Sequence, residues 1–267
     1  MRVLYGVLKH IVVGPPATLL CRRQTKGKEF VPSEGPVILA SNHQSFSDSV
    51  FLPLSVKRHI TFLAKSEYFT SPGVKGRLMA SFFRGVGQVP VDRSGGRAAD
   101  AAIQAGLDVL RRGEILGIYP EGTRSPDGRL YRGRVGVARL ALASGAPVIP
   151  VAIMGTDVVQ PPGSMVPRPH KVIVQFGAPL KYPAAPGSDA TALELRTFTD
   201  QVMSAIKQMS GQETADMYAS TYKSYLARKA RAEKAGLPLP PQPGGDAAAF
   251  GDLLDPEVAT SSEADEE

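Results

Sequence analysis

Short apolar runs alternate with longer stretches of helical periodicity along this chain of 267 residues. Val37-Ile38-Leu39-Ala40 is apolar at every position, the pattern of a strand buried on both faces. His59–Ala64 is another short apolar run, Ile115–Tyr119 reads as a buried strand, Val148–Met154 and Lys171–Phe176 read as strands, and Val86–Arg93 alternates like one. Between them, Arg97–Arg112 sets Ala98, Ala101, Ala102, Ala105, Val109 and Leu110 at helical spacing, with Gly113 as its stop. Arg134–Ser144 is a helix ended by Gly145. Ser188–Ser210 is a long amphipathic helix ended by Gly211, and Gln212–Lys234 predicts a second. Strands alternating with helices predict an α/β fold: a layered mixed sheet flanked by helices.

The ends of the chain differ from this body. Residues 1–21 are strongly apolar, but Lys9 and His10 fall mid-way and Pro15-Pro16 is expected to break any helix there. A charge at the centre of a spanning helix costs about 3 kcal/mol. The expectation is a helix over roughly residues 2–13 lying in the membrane interface, then a second apolar touch-down at Ala17–Leu20. Arg2, Lys9, Arg22 and Arg23 would meet lipid headgroups. The competing reading is a helix packed on the domain. From Leu237 the chain is rich in Pro, Gly and Ala, then acidic, and is expected to be disordered. The predicted organisation is therefore a membrane-interface segment (1–23), a main domain (24–210), a C-terminal helix (211–235) and an acidic tail (236–267).

Composition sharpens this. The net charge is +6, but eight of the 25 acidic residues follow Gly236 and no Lys or Arg does, which leaves the body at +14. A body that basic suits an anionic membrane surface or phosphorylated substrates. With no Trp and few aromatics among the basic residues, nucleic acid is not the expected polyanion. A single cysteine, Cys21, excludes an internal disulfide framework.

The candidate chemistry starts where the first apolar run ends, at Ala40-Ser-Asn-His-Gln-Ser-Phe-Ser-Asp48. Residues five apart on a helix are rotated by roughly 140° and would not meet. A contact between His43 and Asp48 thus needs a turn, with Ser45 or Ser47 capping a helix that starts near Asp48. The carboxylate would then fix one ring nitrogen and leave the other as a base. A turn merely held by hydrogen bonds is the plainer alternative. Three cations, Lys65, Arg93 and Arg124, also fall at or just beyond strand ends. In open α/β sheets ligands bind at the carboxyl ends of strands, so these predict an anion site beside His43. No GxSxG elbow and no metal-ligand cluster is visible, and no cofactor is expected.

These stretches resemble the sequence blocks of the glycerolipid acyltransferases, the lysophosphatidic acid acyltransferase family. Asn42-His43 with Asp48 matches its NHxxxxD block. Gly87–Arg93 resembles the second block, which ends in a phosphate-binding arginine. Tyr119-Pro120-Glu121-Gly122-Thr123-Arg124-Ser125 matches the third, with Tyr119 where Phe is usual, and Val148-Ile149-Pro150-Val151 the fourth. The four occur in order over roughly residues 35–180, and the chain is similar to actinobacterial members.

The resemblance implies a glycerol-3-phosphate acyltransferase-like fold and association with the cytoplasmic face of a membrane. It implies an acyl-CoA or acyl-carrier-protein donor and a lysophospholipid or glycerol-phosphate acceptor. His43 would be the general base and Asp48 its orienter. Asn42, Lys65, Arg93, Glu121, Gly122, Thr123 and Arg124 would meet substrate, Glu121 by positioning the loop, and backbone amides around Gly122 would receive the oxyanion. Two alternatives stand beside this: a CoA-independent phospholipid transacylase, and a non-catalytic anionic-lipid-binding protein on the same fold.

Overall fold

A computed structural model describes residues 6, 11, 14–65, 73, 76–77, 80–81, 87–91, 98–161, 164 and 166–243. Nine strands lie among them: β1 Gln24–Lys26, β2 Val37–Ser41, β3 Ile60–Lys65, β4 Gln88–Val91, β5 Ile115–Ile118, β6 Leu130–Tyr131, β7 Val148–Met154, β8 Ile173–Phe176 and β9 Thr214–Ala215. Seven form one sheet in the order β1-β8-β7-β2-β5-β3-β4. The strands from β7 through β4 run parallel, whereas β8 pairs antiparallel with β7. This is the expected mixed sheet.

Both faces are covered, which is why β2 is buried at all five positions. Ile38, Ala40, Leu116 and Val148 face a cluster closed by three helices, α3 Ala98–Arg111, α4 Gly136–Ser144 and α6 Ala192–Ser210. Val37, Leu39, Ile115, Ile149 and Val151 face a second cluster containing Cys21 of α1 Gly14–Cys21 and Phe51 and Leu52 of α2 Asp48–Ser55. The one-turn helix α5 Thr156–Val159 adds Val159 to that cluster. Helix α6 begins at a complete capping box, Thr191 with Glu194, and ends at Gly211 in the left-handed conformation.

Two expectations are corrected. Pro15-Pro16 does not break a helix but lies in the first turn of α1, where a missing N–H costs nothing. The helix expected over Gln212–Lys234 begins only at α7 Ala219–Ala235, because Thr214–Ala215 pairs as β9 with β6. Residues 2–5, 7–10, 12–13 and 244–267 lie outside the described residues, as do most of the expected interfacial helix and of the acidic tail.

Parallel pairing brings the carboxyl ends of β2, β5, β3, β4 and β7 to one edge of the sheet. The segments leaving β2, β5 and β7 there begin at Asn42, Tyr119 and Gly155.

Candidate active site

His43 sits two residues beyond β2, in a turn that Asp48 closes. Asp48 is fully buried, and its Oδ2 accepts three bonds: from the Gln44 amide at 2.7 Å, the Ser45 amide at 2.9 Å, and His43 Nδ1 at 2.8 Å. The two amides fix the carboxylate, and the carboxylate fixes the ring. The tautomer that donates Nδ1–H to Asp48 leaves Nε2 without a proton, and Nε2 makes no hydrogen bond among the described residues. The helix starts at Asp48 as expected, but the serines do not cap it. Ser45 Oγ and Ser47 Oγ donate instead to the backbone and side-chain oxygens of Gln160.

Two partners of this pair have no local sequence signal. Thr156, fully buried just after β7, donates its hydroxyl to Asp48 Oδ1 at 2.5 Å. Tyr119 lays its ring on the imidazole, centroids 3.8 Å apart and planes 11° off parallel, while its hydroxyl meets Ser49 Oγ at 3.1 Å. Burial, and then the Asp48 charge, push the Tyr119 phenol well above its ordinary range, so it stays neutral. Phe62 stacks behind Tyr119 at 5.7 Å and occupies the space of a Cβ at Gly117, which is why a glycine lies inside β5.

The loop after β5 is hooked to His43 on both sides. Glu121 Oε1 accepts from the His43 amide at 2.9 Å, and the His43 carbonyl accepts from the Ser125 amide at 2.7 Å. Glu121 Oε2 accepts from the Tyr131 amide at 3.0 Å. With 1% exposure, both oxygens of Glu121 are spent inside the protein. Burial pushes its pKa up to about 7, against the pull of the two amides. Glu121 thus positions the loop and does not face a substrate. Gly122 takes φ +74°, and a Cβ there would stand 3.2 Å from Arg134 Nε. Its amide donates to the Tyr119 carbonyl at 2.9 Å, so it is not available to an oxyanion. The amides of Thr123 and Arg124 make no hydrogen bond among the described residues.

Asn42 is also spent. Its amide nitrogen donates to the Ile153 carbonyl and to Gln212 Oε1, and its oxygen accepts from the Ile153 amide at 2.8 Å. It fastens the turn to β7 and to the segment before β9, with both polar atoms of its side chain engaged. Arg124 is exposed and has no ion pair or hydrogen bond among the described residues. Lys65 ends β3 at the same sheet edge, and Arg93 lies outside the described residues. Among the described residues no group of acidic, His or Cys side chains is placed to hold a metal.

A buried carboxylate–imidazole pair beside an exposed arginine loop, at the carboxyl edge of a mixed sheet, can be compared with known proteins. The profile of the family described as Acyltransferase matches residues 22–154, the span that holds β2, the His43 turn, the Glu121 loop and β7. The chain belongs to the acyltransferase family. The crystal structure of the 1-acyl-sn-glycerophosphate (LPA) acyltransferase PlsC from Thermotoga maritima is similar over 70% of this chain and 71% of that one, with a TM-score of 0.54 and 28% identity. The 1-acyl-sn-glycerol-3-phosphate acyltransferase BAT2 of Brassica napus is 35% identical over 140 residues, 52% of this chain and 39% of the relative. The 1-acyl-sn-glycerol-3-phosphate acyltransferase of Bacillus subtilis is 32% identical over 130 residues, 48% of this chain and 60% of the relative. The matches thus span less than two thirds of each of these sequence relatives. Gln212 and α7 lie beyond the matched profile, although Gln212 bonds Asn42 and Lys223 of α7 bonds Thr123.

Proposed function

We propose that this acyltransferase moves a long-chain acyl group from acyl-CoA, or from an acyl carrier protein, to the free hydroxyl of lysophosphatidic acid or a glycerol-phosphate relative. The observation that carries the reading is the His43–Asp48 bond of 2.8 Å, which leaves Nε2 as the acceptor of a proton. In the reaction Nε2 takes the hydroxyl proton as that oxygen attacks the thioester carbonyl. Asp48 stabilises the imidazolium that forms. The tetrahedral intermediate then expels the CoA thiolate, which takes the proton back from His43, leaving an ester and a thiol. No acyl-enzyme is needed. The amides of Thr123 and Arg124 are the candidate oxyanion donors, and Arg124 with Lys65 and Arg93 is the candidate phosphate site.

Offering one long-chain acyl-CoA with a panel of acceptors, with and without phosphate, and following thiol release tests the reading. Thiol release that depends on lysophosphatidic acid is expected. Release with no acceptor tested, or acyl exchange between phospholipids without any acyl-CoA, defeats it; the second result is the transacylase.

Membrane contact belongs to the same reading. No helix of the described residues is long and apolar enough to cross a membrane. On α1, Leu19 is 82% and Leu20 53% exposed, a costly arrangement in water that a lipid interface relieves. Arg23, two residues beyond α1, donates its guanidinium to the Leu54 carbonyl at 2.9 Å and so ties the end of α1 to α2. Replacing both leucines with Asp should reduce co-sedimentation with anionic vesicles several-fold, and unchanged binding removes α1 as the contact.

A further inference from the structure

The loop Gly122–Arg124 is approached by a helix that lies outside the span shared with the family profile. Lys223 of α7 donates from Nζ to Thr123 Oγ1 at 2.7 Å. Arg134, whose stem lies over Gly122, donates to Ser220 Oγ of the same helix at 3.2 Å, and its guanidinium stands 5.1 Å from the Tyr218 ring centre. Helix α7 is therefore fastened to this loop at its first turn, and β9 pairing with β6 fixes the chain that leads into it.

Three cations, Arg124, Arg134 and Lys223, thus surround three loop residues. None has a carboxylate partner within ion-pair distance among the described residues. Glu121, the acid whose charge reaches Lys223, has both oxygens on backbone amides. A half-buried ammonium with one neutral hydroxyl as acceptor is an uncompensated charge. Burial first, and then the Arg124 charge, hold the Lys223 amine below its ordinary range, with Glu121 opposing. Like charges gathered without an acid are stabilised by an anion of high charge, and a phosphomonoester carries nearly two negative charges on three acceptor oxygens.

We propose that Lys223 of α7 is a ligand of the acceptor's phosphate, joining Arg124 and Arg134 around the Gly122–Arg124 loop, so that the C-terminal helix sets selectivity for phosphorylated acceptors. This rests on the reading of that loop as the acceptor's phosphate site. Thr123 holds the amine in place until the phosphate arrives. An ammonium acts as a point charge, whereas Arg124 can grip two oxygens, so the two are not interchangeable.

The test uses the full chain with Lys223→Met, which keeps the stem and removes the charge, and Lys223→Arg, which keeps the charge. With one acyl-CoA, Lys223→Met should lower kcat/KM for lysophosphatidic acid roughly tenfold, with less than about a twofold change for the phosphate-free monoacylglycerol. Lys223→Arg should recover part of the loss, and the melting temperature should stay within a few degrees. Equal losses on both acceptors overturn the proposal. So does a loss that vanishes when the donor is acyl-dephospho-CoA, since the lysine then serves the donor's phosphate. Calorimetric titration with glycerol 3-phosphate separates this inference from the activity it rests on. Wild type should bind several-fold tighter than Lys223→Met even if lysophosphatidic acid proves not to be acylated, and equal binding ends the proposal.

Discussion

The His43 turn and the Glu121–Arg124 loop touch each other, yet they are built on opposite plans. Every polar atom of Asp48 is satisfied within the fold, by two local amides, an imidazole and the Thr156 hydroxyl. Its geometry is fixed before any substrate arrives. The loop is likewise anchored through Glu121, but its cations are left over: Arg124 is exposed and Lys223 has only a hydroxyl. A site that moves protons gains from groups already locked in place, because reorganisation would add to the barrier. A site that recognises a charged ligand must keep its charges unpaired until that ligand binds. The comparison predicts that damage to the turn slows the chemistry for every acceptor, whereas damage to the loop's cations changes which acceptor is used.

The largest effect should follow His43→Ala. Removing the base should lower kcat by about 10²–10⁴ for acceptors with or without phosphate, measured by thiol release. The ring is 16% exposed in a turn, so circular dichroism and melting should be close to wild type. Full activity in a folded His43→Ala protein would remove the general base from the mechanism.

Next comes a pH effect at the joint between the two regions. The Glu121 pKa is raised from 4.5 to about 7 by burial. Below about 4.5 the group is protonated folded and unfolded, and contributes no difference. Between the two values the folded state holds the proton more tightly, so stability falls as pH rises. Above about 7 the full cost of the buried charge is present, about 3 kcal/mol. At pH 5 the folded Glu121 carries its proton but still presents an oxygen to each of the His43 and Tyr131 amides, whereas Glu121→Gln turns an NH2 on one of them, so it should be the less stable protein there. The gap should narrow toward pH 8, because only wild type loses stability through this window. Parallel denaturation curves for the two proteins across that range would count against a raised Glu121.

A smaller loss is expected from Thr156→Val. It deletes the donor to Asp48 Oδ1 at nearly constant volume and should lower kcat about tenfold. KM should hold for donor and acceptor, because the change acts through His43 alone, and Thr156→Ser should restore the rate. A raised KM with unchanged kcat would place Thr156 in binding.

Much of this was legible in the chain because the sheet is buried on both faces. Val148–Met154 is the strand that its unbroken apolar run predicts, and Val37–Ala40 extends by one residue to Ser41. His43 and Asp48 were legible because five residues and a turn suffice to join them. Thr156, Lys223 and the true task of Asn42 were not. Their contacts join residues 108, 100 and 111 apart, and no local pattern encodes which strand ends become neighbours. Tyr119 read as a phenylalanine with one added hydroxyl, yet its ring lies on His43 and that hydroxyl finds Ser49. The helix expected over Gln212–Lys234 failed because Thr214–Ala215 satisfies its backbone against Leu130–Tyr131 instead.

The most direct measurement compares two acceptors in two proteins: lysophosphatidic acid and monoacylglycerol, with wild type and Arg124→Ala, each offered the same acyl-CoA. A charge-assisted hydrogen bond is worth about 1.5–3 kcal/mol, or roughly ten- to a hundredfold in kcat/KM. Wild type should prefer the phosphorylated acceptor, and Arg124→Ala should lose at least about tenfold on it while monoacylglycerol changes little. If the substitution lowers both acceptors by the same factor, Arg124 holds the loop or the donor, and the division between a proton-moving turn and a phosphate-reading loop is wrong.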